Sequence, residues 1–218
     1  MQKLWLLLSG RTCLVILCLM AFVPAVLAGK NFVKPVAKSA TNYPAHDFHR
    51  DEQVAIAADP YDTPEKARIF SVNFAGYGLL PVFFVITNDG DQPVSIAKME
   101  ITLLTANHSK LTPIDTDDLY RRLANPHMNT RPSPLPLPNK VKGTGKKEME
   151  EVSASQFEAR AVEPHTTQSG FMFFDIGGIS SPLSGANLDI TGVTDAKGNE
   201  LMFFEIPLDK YLNAPANP

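Results

Sequence analysis

The 218-residue chain has two cysteines and one tryptophan, and all three lie before residue 19. If that leading stretch is removed, the remaining protein has no thiol, so it has neither a disulfide framework nor a cysteine nucleophile. It also lacks an excess of basic charge: the formal net charge is −3. That balance gives no electrostatic reason to expect binding to nucleic acid or anionic lipid. No apolar run outside the leading stretch approaches the length of a membrane span, since the longest, Leu79–Ile86, is strand-sized and contains Pro81.

The leading stretch itself is informative. Lys3 and Arg11 form a positive n-region, Cys13–Val23 is an uninterrupted apolar run, and Pro24 ends it. Val26 and Ala28 occupy the small-residue positions of a signal-peptidase site. Residues 1–28 are therefore expected to be a cleaved signal peptide, which makes the protein exported, periplasmic or extracellular. Leu17 before Cys18 and Thr12 before Cys13 do not fit a lipoprotein site. Cleavage removes Lys3 and Arg11 but no acidic residue, which takes the formal charge from −3 to −5. Export without disulfides suits a bacterial product whose core is large enough to need no staples.

Beyond the leader, Gly29–Arg50 carries Lys30, Lys34, Lys38, Pro35 and Pro44 with few large apolar residues, and is expected to be a flexible arm. A single domain is expected over 51–213, followed by a tail at 214–218. Val54–Ala58 reads as a first strand. Thr63, Pro64 and Glu65 give an N-cap, a first-turn proline and a first-turn acid, predicting a short helix through Ala67, Ile69 and Phe70. Leu79–Thr87 has the composition of a strand buried on both faces. Asn88–Asp91 is a turn, and Val94–Ile96, Met99–Thr105 and Leu111–Ile114 continue in extended patterns. Leu119–Ala124 is a second short helix, with Arg121 and Arg122 near its C-terminal end.

Asn125–Lys147 contains Pro126, Pro132, Pro134, Pro136 and Pro138 before a basic, Gly-containing run, and is expected to be a mobile insertion. Lys146–Glu158 has a sparsely apolar helical pattern. Four extended segments follow: Phe157–Val162, Phe171–Ile176, Leu188–Val193 and Leu201–Ile206. The last two flank Asp195–Asn199, a hairpin turn with Gly198 at the position that needs positive φ. Seven or eight strands with turn signals at this spacing predict a two-layer β-sandwich.

Two stretches resemble exported bacterial immunoglobulin-like domains of uncharacterised function. One is Leu80–Asn88 followed by Gln92–Ile96, an apolar strand ending in Asn, a polar turn and a strand opening after Pro. The other is Val162–Pro164 followed by Ser169–Phe174, a Pro-led turn before a Gly and an aromatic strand. The resemblance implies an immunoglobulin-like antiparallel β-sandwich, here with two or three short helices and a Pro-rich insertion. It implies no activity.

Candidate chemistry is thin. His46 and His49 with Asp51 form the densest group of ligand-type side chains, with Asp47 an alternative carboxylate; on a helix the two imidazoles would share a face and could hold zinc, copper or nickel. Asp59, Asp62 and Glu65 around Tyr61 could form a carboxylate site, although turn and cap chemistry accounts for the same residues. Gly177–Pro182 lacks the nucleophile-elbow spacing, and Gly143–Lys146 lacks the phosphate-loop pattern. Asn107-His108-Ser109 is a formal glycosylation sequon in a turn. No catalytic constellation or cofactor motif is found.

Aromatic pairs carry the leading expectation. Adjacent strand positions face opposite sides, so Phe173/Phe174 and Phe203/Phe204 cannot all enter one core. The second face needs a helix, the insertion or a partner to cover it. Phe203 and Phe204 are the candidate contact residues for an envelope or extracellular protein. The chain is thus expected to be a non-enzymatic exported binding protein, with metal binding through His46 and His49 as the alternative.

Overall fold

The computed structural model describes residues 32–125, 144–201 and 203–215. The chain is mainly β, with antiparallel sheets and a few short helices. One four-stranded sheet has the order β1 (His46–His49), β2 (Val54–Pro60), β3 (Leu79–Asn88), β8 (Thr166–Asp175). The other has the order β10 (Phe204–Pro207), β9 (Asn187–Thr191), β5 (Glu100–Leu104), β6 (Lys110–Leu111). A two-stranded ladder joins β4 (Val94–Ser95) to β7 (Ala161–Val162). Among the described residues there are also four short α-helices, α1 (Pro64–Ala67), α2 (Thr116–Ala124), α3 (Lys146–Ser155) and α4 (Asp209–Leu212), and two 3-10 turns at Ala40–Asn42 and Phe74–Tyr77.

The two four-stranded sheets share a core. Ile56, Val82, Phe84, Ile86 and Phe174 from the first sheet meet Ile101, Leu103, Leu188, Ile190, Phe204 and Ile206 from the second. Strand alternation sends the intervening residues of the first sheet to a second core: Ala55, Ala57, Leu79, Phe83, Val85, Phe171 and Phe173. Leu119 and Leu123 of α2 and Val152 of α3 cover that face, together with Phe70, Phe74 and Tyr77. β3 is consequently buried along its whole length on both sides, as its unbroken apolar run predicts. Phe173 and Phe174 enter different cores, so the chain itself covers the second face of β8.

Residues 32–50 correct the expectation of a flexible arm. Phe32 stacks on Phe70 with ring centroids 5.4 Å apart, Ala40 is fully buried, and its N–H donates to Thr87 Oγ1 at 2.9 Å. Phe32, Ala37, Tyr43 and Phe48 pack against the second core, and His46–His49 pairs with Val54–Ala57 as an edge strand. The compact unit begins at Phe32, well before the expected boundary at 51. A few aromatics spaced among lysines and prolines suffice to dock the segment, and average composition conceals them.

Of the expected insertion, 126–143 lies outside the described residues. At its end, Lys146 and Lys147 belong not to a loop but to the start of α3, in which Glu151 is buried and accepts a hydrogen bond from the Ser71 N–H at 2.7 Å. Gly170 permits the closest backbone approach in this region. A Cβ there would lie 2.5 Å from Phe157 Cα and 2.6 Å from the Gln156 carbonyl oxygen. The Phe157 N–H donates to the Phe171 carbonyl alongside. Phe157–Val162 therefore forms one ladder contact and the short β7, not the continuous strand expected.

An open apolar cavity on the α1 side

Thr63 caps α1, its hydroxyl accepting from the Lys66 N–H at 3.4 Å. After this single turn, Phe70, Val72 and Phe74 are buried, separated by exposed Ser71 and Asn73. Asn73 Oδ1 accepts from the Gly76 N–H, and Gly78, at φ 69°, turns the chain into β3. This segment, the start of β3, the stretch from Ile176 to Ser184 and Leu212 of α4 enclose an open cavity of about 710 Å³. Its apolar wall includes Phe70, Val72, Phe74, Leu80 and Leu183, while Asp62, Arg68 and Ser184 are among its polar lining.

A cluster of charged and aromatic side chains supports one side. Lys66 Nζ donates to Asp59 Oδ1 at 2.5 Å and to the Pro60 carbonyl at 3.0 Å. It also lies 4.2 Å from the centroid of the Tyr211 ring and 5.5 Å from that of Tyr61. Tyr211 in turn donates its hydroxyl to Asp62 Oδ1 at 2.5 Å. Burial pushes the Asp59 carboxyl above the usual carboxylate range, even with the Lys66 ammonium beside it pulling the other way. Burial also raises the Tyr61 and Tyr211 hydroxyls; Asp59 adds to the first and the bond to Asp62 to the second. Both phenols stay protonated at neutral pH, and Tyr211 is held as a donor. The arrangement ties α4, and with it Leu212, to α1.

This accounts for two of the three carboxylates grouped by sequence. Asp59 faces Lys66, Asp62 faces Tyr211, and Glu65 sits exposed in the first turn of α1. They do not converge on one point. Thr63 and Pro64 perform the cap chemistry that the sequence also allowed.

His46, His49 and Asp51 are not brought together either. The first two lie on a strand, not a helix, and residues three apart on a strand face opposite sides. His46 Nδ1 is 2.6 Å from the Tyr43 carbonyl oxygen. The His49 ring stacks on Phe204 at 3.9 Å with its Nε2 3.4 Å from Asp47 Oδ2, and Asp51 is exposed in the following turn. Among the described residues, no group of three or more His, Cys, Asp and Glu side chains is placed to hold a metal ion.

The two candidate contact residues separate. Phe203 is 56% exposed, whereas Phe204 is fully buried in the core between the sheets. Alternation along β10 explains this: Phe204 and Ile206 point inward and Glu205 outward. Phe204 is therefore a core residue and not a contact surface. The cavity residues were missed because Ile69 and Phe70 read as a helix continuing from α1, which instead ends at Ala67. The alternation of Phe70, Val72 and Phe74 with Ser71 and Asn73 was the available signal. Neither family models nor curated proteins give a match to this sequence.

Proposed function

We propose that the chain is an exported, non-enzymatic binding domain built on an immunoglobulin-like β-sandwich, whose ligand enters the cavity beside α1. The fold reading is supported by strand order. In immunoglobulin sandwiches the second strand pairs with the fifth, and the third with the sixth, which also pairs with the seventh. The pairings β3–β8, β5–β9 and β9–β10, with the chain crossing between sheets after β3 and after β8, follow that pattern. Export is supported by the leader in 1–28. Its test is N-terminal sequencing of the protein recovered outside the cytoplasm, with Gly29 expected as the first residue.

The observation that carries the functional reading is the cavity. Its volume of about 710 Å³ falls in the range of small-molecule sites, and an apolar wall with polar groups at the edge is their usual composition. The sequence alone suggested a protein partner. Support for that is weaker: the large hydrophobics exposed among the described residues are Val33, Val36, Phe203 and Leu212, and only Leu212 lines the cavity. The centre of a protein interface is usually enriched in aromatic side chains, and Phe203 is the one aromatic among these four. The metal alternative gains nothing from the positions of His46 and His49.

The test is saturable binding of a neutral apolar fluorophore such as Nile red to the mature chain. Ala67, half-buried in the lining, provides the control. Ala67→Phe is expected to fill part of the space and weaken binding at least tenfold. Binding that is absent, or unaffected by this substitution, would reject the cavity as the site.

A further inference from the structure

We infer that the ligand is an amphipathic monocarboxylate, its apolar body in the cavity and its carboxylate held by Arg68. This rests on the cavity being the ligand site. Arg68 follows α1, lies in the cavity lining and is exposed. Among the described residues its guanidinium has no ion pair and no side-chain hydrogen bond. Lys66 is matched by Asp59 and the Pro60 carbonyl, and Asp62 Oδ1 is engaged by the Tyr211 hydroxyl. Among the described lining residues Arg68 is the one cation, and its guanidinium is a planar fork suited to a carboxylate.

The surroundings narrow the class further. Phe70, Val72, Phe74, Leu80 and Leu183 offer no hydrogen-bond partner from their side chains, so an apolar tail packs against this wall at less cost than one carrying charges, while Ser71, Asn73 and Ser184 keep the rest of the lining polar. Asp62 lies in the same lining as Arg68. Its negative charge is tolerable beside a single bound anion paired with Arg68 and increasingly unfavourable beside a dianion. A fatty-acid-like ligand therefore fits better than a phosphomonoester.

The experiment measures displacement of Nile red from the mature chain by dodecanoate, dodecanol and dodecyl phosphate near neutral pH, each below its aggregation concentration. Dodecanoate is expected to bind roughly tenfold more tightly than the other two, as one charge-assisted pair at a partly solvated rim would give. Arg68→Gln is expected to bring dodecanoate down to the level of dodecanol while leaving dodecanol unchanged. Among the described residues Arg68 has no structural partner to lose, and an unaltered thermal melt of the variant checks that. Equal binding of dodecanoate and dodecanol in the parent, tighter binding of dodecyl phosphate, or no effect of Arg68→Gln would each overturn the carboxylate assignment while leaving the cavity intact. Loss of all Nile red binding, or its indifference to Ala67→Phe, would instead reject the cavity reading on which the assignment rests.

Discussion

Tyr211 donates its hydroxyl to Asp62 Oδ1 at 2.5 Å, a contact that spans 149 residues and fastens the C-terminal helix beside the helix that lines the cavity. The ring of the same tyrosine receives the Lys66 ammonium. Tyr211→Phe keeps the ring and removes only the donor. A loss of about 1 kcal/mol is expected, because the bond is charge-assisted but partly solvated. In a chain of this size that is a fall of about 2–4 °C in melting temperature. Hydrogen exchange should show faster opening of α4 with little change in β3. Unchanged exchange in α4 would mean that its docking depends on Leu208 and the Tyr211 ring and not on the hydroxyl.

Phe203 and Phe204 give a sharp paired test. Phe204→Ser removes a fully buried ring on which His49 stacks and leaves a hydroxyl in an apolar core. A loss of at least about 3–5 kcal/mol is expected, the usual range for truncating a buried Phe. Phe203→Ser acts on an exposed ring and should stay within about 0.5 kcal/mol of the parent. Urea unfolding of the two variants measures both. Comparable losses would mean that Phe203 is also packed.

The contrast between these neighbours shows what was legible in the sequence. The unbroken apolar run of β3 showed that both of its faces are buried, and the turn at Asp195–Asn199 was evident from Gly198, observed at φ 84°. Alternation also required Phe203 and Phe204 to diverge, but it has no origin of its own: which of the two faces inward depends on the pairing of β10 with β9. His46 and His49 failed as a pair for a related reason. Their spacing brings two side chains together only on a helix, and Val54–Ala57 supplied a strand partner instead. The cavity was the least legible feature. It arises where α1, the Ile176–Ser184 stretch and Leu212 meet, and beyond the alternation of Phe70, Val72 and Phe74 those distant contacts leave no local pattern.

Gly170 tests the close approach of the Gln156–Phe157 stretch to β8. The methyl of Gly170→Ala would meet backbone atoms, Phe157 Cα at 2.5 Å and the Gln156 carbonyl oxygen at 2.6 Å, and backbone cannot rotate aside as a side chain can. Separation of the two segments is expected to cost about 1–3 kcal/mol, as other overpacking changes do. The Phe157 amide, which bonds to the Phe171 carbonyl, should lose protection from exchange in the variant. A neutral outcome by both measures would show that the Gln156–Phe157 stretch yields easily.

Phe32→Ala tests whether the segment before β1 belongs to the fold. The ring is half-buried and lies nearly parallel to Phe70, which itself forms edge contacts with Tyr61, Phe74 and Phe171. Loss of a partly buried stacked ring is expected to lower stability by about 1–2 kcal/mol. A flexible arm would instead leave the urea midpoint unchanged. Because Phe70 also lines the cavity, the same variant should weaken Nile red binding modestly.

Lys66 and Asp59 make the cluster sensitive to pH, and the sign can be worked out. Burial holds the Asp59 carboxyl above its ordinary range in the folded protein, so the native state takes up a proton at higher pH than the unfolded chain does. Between those two values the native state binds more protons, and the contribution of this group to stability therefore increases as the pH falls through the window. Lys66→Met removes the ammonium that opposes the shift, so the window should widen upward and the destabilisation at neutral pH should grow. For a largely buried ion pair losing one partner, about 2–3 kcal/mol is expected near pH 7, shrinking as the pH is lowered into the acid range and Asp59 becomes neutral. Urea unfolding of parent and variant across that range measures the difference, which cancels the titration of groups common to both. A pH-independent difference would mean that the loss comes from the contacts of Lys66 with Tyr211 and the Pro60 carbonyl, and that Asp59 does not titrate in this range.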